Sequence, residues 1–383
     1  MRFATTTETL GRHHRALLAI VGLVGLAAAL AFDPAATAAA SRQNWPPFVL
    51  VAGLLLVGLV SERDGLFLAA GQWLAARARS GLLLYVGSVA LIWIVTALLN
   101  LDTAVAFLTP VLIHMGRSRS ADQDALLYAC ILLANAGSLM LPGSNLTNLI
   151  VIGHAHLSGS TFLVRMAPAG AVAVIITATI VWLVSPRDPQ PARPGQEHDS
   201  RSFSVALAAV LAATALILAL PDPALPVAGV GVLATILRLR PSAATARAAS
   251  EAVGLPVLIG LFGIAVGLGT VGRAWTGPSQ LLTQLGPWTT AGFAAGASVL
   301  LNNLPAASLL SARAVPHPYS LLVGLNLGPN LFVTGSLAWV LWWRAARGAG
   351  GSPSIRRATQ LGLLCAPVSL LAAMALLTLS GYR

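Results

Sequence analysis

Asp102 is a carboxylate set well inside an apolar stretch, LLNLDTAVAFLTPVLI at 98–113, whereas the other acids fall at segment ends or in connections. Carrying an acid to membrane depth costs several kcal/mol, so such residues usually work rather than merely fill space. Thr103 stands beside it and can hydrogen-bond its neutral form, which makes Asp102 the candidate proton-coupling residue. Uncharged donors and acceptors accompany it at four places: Asn100 and Thr103; Ser144, Asn145 and Asn148; Asn302 and Asn303; and Asn326, Asn330, Thr334 and Ser336. Amides and hydroxyls suit a small solute that offers hydrogen bonds without needing a fixed counter-charge. No arginine lies among them, although half-helix N-termini can partly replace a cation. The chain has two cysteines, Cys130 and Cys365, too few for a thiolate metal site, and no cofactor is implied. It has no lysine and so no phosphate-binding loop of the Walker type; energy must come from an ion gradient or another subunit. His114, His154, His156 and His317 lie nearer segment ends and read as interfacial.

These residues need elements that bring polar backbone to membrane depth. Apolar segments fall near 16–33, 47–61, 81–115, 123–158, 163–185, 203–220, 224–237, 252–271, 288–312, 317–343 and 358–380. Arg77 and Arg79 precede 81–115, and Arg117 and Arg119 follow it, so both ends belong on one side. The segment is marginal for two full spans and a turn, and it predicts a re-entrant hairpin tipped by Asn100-Leu101-Asp102. Irregular backbone at that depth is tolerated only against protein or a water-filled cavity. The segment 123–158 is interrupted at AGSLMLPGSNLTN (136–148) and predicts a broken helix. The plan recurs upside down: a second hairpin over 288–312 tipped by LLNNLPAASLL (300–310), then a helix over 317–343 broken at GLNLGPNLFVTGS (324–336). Paired interruptions in two halves point to a transport site between inverted repeats.

The expected fold is therefore an all-α polytopic membrane protein of two inverted repeats, each with a re-entrant helical hairpin and a discontinuous transmembrane helix. The first repeat covers 1–185 and the second 224–383. Residues 186–223 hold a Pro-rich cytoplasmic loop and a linking span. Residues 65–79 read as an amphipathic interfacial helix. The first apolar run, with ATAAAS at 36–41 after it, resembles a cleavable leader but is needed as a span by this topology.

Composition agrees. Hydrophobic residues make up 56% of the chain, charged residues 9%, and mean hydropathy is +0.80. A soluble globular protein carries roughly 25% charged residues. The net charge of +11 comes from arginines in short loops, which is a topology signal and not a nucleic-acid surface. With a cytoplasmic N-terminus, 18 of the 23 arginines are inside and Arg42, Arg165, Arg273, Arg313 and Arg383 are outside, as is the C-terminus. The Arg, Ala and Gly bias fits a GC-rich genome, and the expected location is a bacterial plasma membrane.

LDTAVAFLTP (101–110), ANAGSLMLPGSNLTNLIV (134–151), LLNNLPAA (300–307) and GLNLGPNLFVTGSLAWVLWW (324–343) resemble the arsenite permeases (ArsB) of the ion transporter superfamily, which also holds citrate and dicarboxylate carriers. The resemblance implies a secondary transporter that expels arsenite and antimonite in exchange for protons, sometimes with a separate ATPase subunit. Dicarboxylate carriers place Ser-Asn-Thr at their hairpin tips, where this chain has Leu-Asp-Thr (101–103) and Asn-Asn-Leu-Pro (302–305). Arsenite near neutral pH is an uncharged trihydroxide, which suits the amide and hydroxyl set. The alternatives are a sodium/proton antiporter or a citrate/dicarboxylate carrier on the same scaffold. The partners expected are the small inorganic solute, protons and the lipid bilayer; a homodimer is compatible, nucleic acid is not. An intramembrane enzyme would need a second deep acid, because acid catalysis by carboxylates pairs two groups.

Overall fold

Polar residues start the helices where the sequence turns apolar. Asp33 accepts the Ala36 N–H at 2.9 Å ahead of the helix that starts at Pro34, and Ser80, Ser158, Ser242 and Ser354 cap the helices that follow them in the same way. The computed structural model describes residues 2–118, 123–153, 157–185, 204–239 and 242–382, with side chains from residue 16. Every element there is helical. In the first half these are α1 (Arg2–Phe32), α2 (Pro34–Arg63), α3 (Leu66–Arg77), α4 (Gly81–Leu98), α5 (Leu101–Ser118), α6 (Gln123–Gly137), α7 (Leu146–Ile152) and α8 (Gly159–Val184). Then come α9 (Ser204–Ala219), α10 (Ala224–Arg238), α11 (Ala243–Val253), α12 (Leu255–Ala274), α13 (Gly277–Gln284), α14 (Pro287–Leu301), α15 (Asn303–Leu310), α16 (Pro318–Leu327), α17 (Ala338–Gly348) and α18 (Ile355–Leu379). Among the described residues, five stretches are long and apolar enough to cross a membrane: α2, α4, α8, α11 with α12, and α18.

The packing is reciprocal. α1 lies on α12 and α10 lies on α2; α5 lies on α17 and α15 lies on α7. Each pair is matched by its counterpart from the other half. α2 crosses α12 and α8 crosses α18. Thr37 meets Thr270 at 3.1 Å while Phe48 meets Phe262, so α2 and α12 run antiparallel. Ser369 reaches both Thr177 and the Ala173 carbonyl, while Cys365 reaches the Thr177 carbonyl, so α8 and α18 also run antiparallel. Equivalent helices that run in opposite directions are what an inverted repeat requires.

Glycine makes the closest of these contacts. Gly22 on α1 lies against Gly260 and Gly263 of α12, and Gly53 on α2 lies against Ala228 and Gly231 of α10, with backbone touching backbone in both places. Without a hydrophobic drive in lipid, such close approach supplies the dispersion energy that holds helices together. These four helices form a frame around which the hairpins and broken helices are arranged.

Two expectations need correction. The second apolar segment was expected near 47–61; instead α2 starts earlier and runs unbroken from Pro34 to Arg63 through Pro46 and Pro47. Two prolines remove two N–H donors, but packing against α10 and α12 outweighs that cost. Asp102 was read as the acid set deepest in an apolar stretch and is half-buried; the acid at the end of α2, Asp64, read as lying at a segment end, is fully buried, because α9 and α10 fold over it. Asp64 pairs with Arg238 and accepts the Ala206 N–H at 3.3 Å. The amphipathic helix at 65–79 is α3, whose buried Phe67, Gly71 and Ala75 recur at helical spacing. The Pro-rich loop, His154 and His156 lie outside the described residues.

Candidate functional site

Both expected hairpins and both broken helices are present. α4 and α5 meet at Leu99-Asn100, and Asn100 Oδ1 accepts the Thr103 N–H at 2.6 Å, capping α5. Gly116 lies against Gln123, and Thr109 meets Cys130 at 3.4 Å, so α5 and α6 run antiparallel in one register. Seven residues along each helix from that second contact, Asp102 is level with Gly137. The tip therefore stops at the break after α6, short of the end of the α6–α7 segment. Asp102 occupies the first turn of α5.

The first break runs through a 3₁₀ turn at Pro142–Ser144 to Asn145, which caps α7 by accepting the Thr147 N–H at 3.0 Å. Ser144 donates to the freed carbonyls of Ser138 and Leu141. Asn148 donates to the same two carbonyls at 2.7 and 3.2 Å. Side chains thus satisfy the backbone that the glycine and proline release. The second break runs from Gly328 to Leu337 and carries Asn330, Thr334 and Ser336. Ser336 caps α17 by accepting the Ala338 N–H at 3.2 Å.

The two breaks are joined by buried amides. Asn326 Oδ1 accepts from Ser138 Oγ at 2.6 Å and from Asn145 Nδ2 at 2.7 Å. Its Nδ2 donates to Asn148 Oδ1 at 2.8 Å and to the Leu322 carbonyl at 2.9 Å. Asn330 Oδ1 accepts from Asn135 Nδ2 at 2.8 Å, and Asn330 Nδ2 donates to the Leu132 carbonyl at 3.0 Å. Five of the expected residues, Ser144, Asn145, Asn148, Asn326 and Asn330, therefore form one cluster spanning both halves, and all are buried.

The remaining ones lie apart from it. Asn302 forms the second hairpin tip and donates to the Thr334 carbonyl at 3.0 Å, while Thr334 Oγ1 donates to the Val299 carbonyl at 2.6 Å. Asn303 is buried at the start of α15. Asn100 and Thr103 hold the first tip. The Thr103 hydroxyl was expected to bond Asp102; it has no partner among the described residues and lies against Gly58 of α2.

Four residues escaped sequence reasoning. Asn135 and Ser138 complete the amide cluster, and the signal for them was polar spacing one turn before the break. Trp93 and Thr96, on the α4 face turned to Gly137, had no such signal. Six buried polar atoms without a partner among the described residues belong to the first hairpin and the first broken helix: Trp93 Nε1, Thr96 Oγ1, Asn100 Nδ2, Thr103 Oγ1, Asn135 Oδ1 and Thr147 Oγ1. Buried polar atoms are normally hydrogen-bonded, so a concentration of orphans marks a place where a polar ligand would gain bonds. None of these groups is cationic.

Known proteins place this architecture. The crystal structure of the Alcanivorax borkumensis YdaH transporter, reported to have an unusual topology, shares the fold with a TM-score of 0.58 at 14% identity, over 96% of this chain and 98% of that one. Two uncharacterized transporters of Mycobacterium tuberculosis, MT2759 of strain CDC 1551 / Oshkosh and Rv2685 of strain ATCC 25618 / H37Rv, are each 24% identical over 363 residues, covering 85% of this chain and 84% of theirs. The inner membrane protein YbiR of Escherichia coli (strain K12) is 27% identical over 170 residues, so the match spans 44% of this chain and 45% of YbiR. The model of the citrate transporter family, CitMHS, matches residues 5–342, and this chain, a multi-pass membrane transporter, belongs to that family.

Proposed function

We propose that the chain is a proton-coupled secondary transporter exporting arsenite or antimonite across the plasma membrane of a bacterium, with Asp102 as the proton-coupling residue. The observation that carries this reading is the set of uncharged orphan donors and acceptors around the first tip and break, beside one acid and no cation. A neutral trihydroxide both donates and accepts hydrogen bonds, so it can satisfy indole, hydroxyl and amide groups together. The repeats 1–185 and 224–383, joined by 186–223, form the two arms of the cycle. Arginines expected on the same side meet one another's neighbourhoods: Arg117 donates to the Ala349 carbonyl at 2.9 Å, and Arg313 donates to the Arg273 carbonyl. This grouping fits a single assignment of sides, and the excess of arginines on the side of Arg117 favours a cytoplasmic N-terminus and an external C-terminus. Proton exchange suffices as the energy source in this reading, so no ATPase subunit or second copy is required.

A second reading, a citrate or dicarboxylate carrier, is favoured by the family to which the chain belongs. It requires positive charge at the site, which bound sodium ions would have to supply. One experiment separates the two. The purified protein in proteoliposomes is loaded with arsenite or with radiolabelled citrate, and efflux is followed with a pH gradient, a sodium gradient or neither. Arsenite efflux driven by the pH gradient supports the first reading; sodium-dependent citrate counterflow without arsenite movement replaces it with the second.

A further inference from the structure

Gln43 is a half-buried side chain on frame helix α2 that touches both repeats at once. Its Nε2 donates to the Ile150 carbonyl, in the last turn of α7, at 3.2 Å, and to the Ser311 carbonyl, just past α15, at 3.0 Å. Its Oε1 accepts from Arg273 at the end of α12 at 2.5 Å. Carbonyls at a helix C-terminus have no partner within the helix. A primary amide has two N–H donors, and here one serves the broken helix of the first repeat and the other serves the second hairpin. Arg273 is held in turn by its own α12, donating to the Gly269 carbonyl at 3.0 Å. The neighbouring contacts between the frame and these elements involve glycine and aliphatic groups, such as Gly272 against Leu309 and Ala312. Apolar surfaces can slide, whereas directional hydrogen bonds are either made or broken.

Gln43 also lines a cleft of about 280 Å³ between α2, α7 and the turn from α9 to α10, and Pro142 of the first break lies on its wall. We propose that Gln43 is a clasp: it fastens the ends of α7 and α15 to the frame at this end of the molecule, and its release widens the cleft into the route between water and the first break. The inference rests on the chain being a membrane transporter and is independent of what it carries.

The test uses the full chain with Cys130→Ser and Cys365→Ala, a reporter at Leu149→Cys on the cleft wall, and a membrane-impermeant maleimide applied to sealed vesicles of each orientation. Gln43→Leu removes both bonds to the carbonyls. It should speed labelling about tenfold, the effect of losing two hydrogen bonds of modest net strength, and from one side only. Arg273→Met leaves the amide in place without its guide and should give a smaller rise from the same side. A second reporter, Ala265→Cys in the buried frame, should stay unlabelled in both variants. Unchanged labelling at position 149 in both variants overturns the proposal, and so does equal labelling at 265, which would mean that the whole protein had loosened. If Gln43→Leu does not fold, Arg273→Met and Gln43→Glu, which keeps the shape but loses the donors, decide the matter by the same readout.

Discussion

The two hairpin tips have closely similar sequences, LLNLDTAVAFL at 98–108 and LLNNLPAASLL at 300–310, and opposite surroundings. At the first tip Leu98 is half-buried and Leu99 is 2% exposed; their counterparts at the second, Leu300 and Leu301, are 84% and 48% exposed. The polar groups differ in the reverse sense. The second tip satisfies itself, with Asn302 and Thr334 both bonded to nearby carbonyls. The first tip buries Asn100 Nδ2 and Thr103 Oγ1 without partners. Orphans in the second hairpin and broken helix, Thr290 and Ser320, sit near the starts of α14 and α16, away from tip and break. A buried unmatched polar group costs about 1–3 kcal/mol, which a ligand supplying the missing partner recovers. One motif thus leaves two different surfaces: the first tip keeps polar groups unmatched, and the second bonds them to its own break.

The largest expected effect concerns the acid that only the first tip carries. Asp102→Asn keeps shape and polarity but cannot release a proton, so if the chain is the proton-coupled arsenite exporter proposed above, export driven by a pH gradient should fall to background while equilibrium exchange of arsenite persists. The same change at the matching position, Leu304→Asn, should leave the pH dependence of transport as it is. Initial rates across a range of external pH, with and without a gradient, read both. Wild-type uphill pumping by Asp102→Asn would falsify the coupling role.

Next in size is a pair of glycines that let the breaks approach the long helices. A methyl group on Gly362 of α18 would run into the Asn330 carbonyl, whereas one on Gly170 of α8 would meet the flexible Met140 sulfur at 3.1 Å and Leu139 Cβ at 3.3 Å. Overpacking typically costs 1–3 kcal/mol, and more where backbone must move. Gly362→Ala should therefore destabilise by at least about 3 kcal/mol and Gly170→Ala by about 1 kcal/mol. Thermal midpoints in detergent compare them, and an equal loss would mean that the two breaks are equally adaptable.

The smallest effect is at the tips themselves. Asn302 has φ 77° and ψ 148°, and among the described residues it is the one non-glycine with positive φ. Asn302→Gly relieves strain of order 1–3 kcal/mol and loses one hydrogen bond of about 1 kcal/mol, so stability should hold or rise slightly. Asn100→Ala removes a cap with no such relief and should cost about 1 kcal/mol. A marked fall in the midpoint for Asn302→Gly would show that the amide, not the turn, holds the second tip.

Local sequence determined a good deal of this protein. Hydropathy places the spans because each apolar segment is solvated by lipid whatever its neighbours are. Gly137, Pro142 and Gly143, and later Gly328 and Pro329, interrupt helices through their own backbone chemistry, so both breaks were legible, as were Asn145, Asn148, Asn326 and Asn330 beside them. Arginine spacing marked both ends of the first hairpin. What no local pattern contains is who meets whom. Asn135 finds Asn330 from 195 residues away, and Gln43 finds Ser311 from 268. Asp64 looks like an interfacial acid until α9 and α10 cover it, and the prolines of α2 look like a stop until neighbouring helices outweigh two missing hydrogen bonds. The difference between the tips is of the same kind. Closely similar sequences became unlike because burial depends on the helices packed around a segment, and only the tertiary structure fixes those.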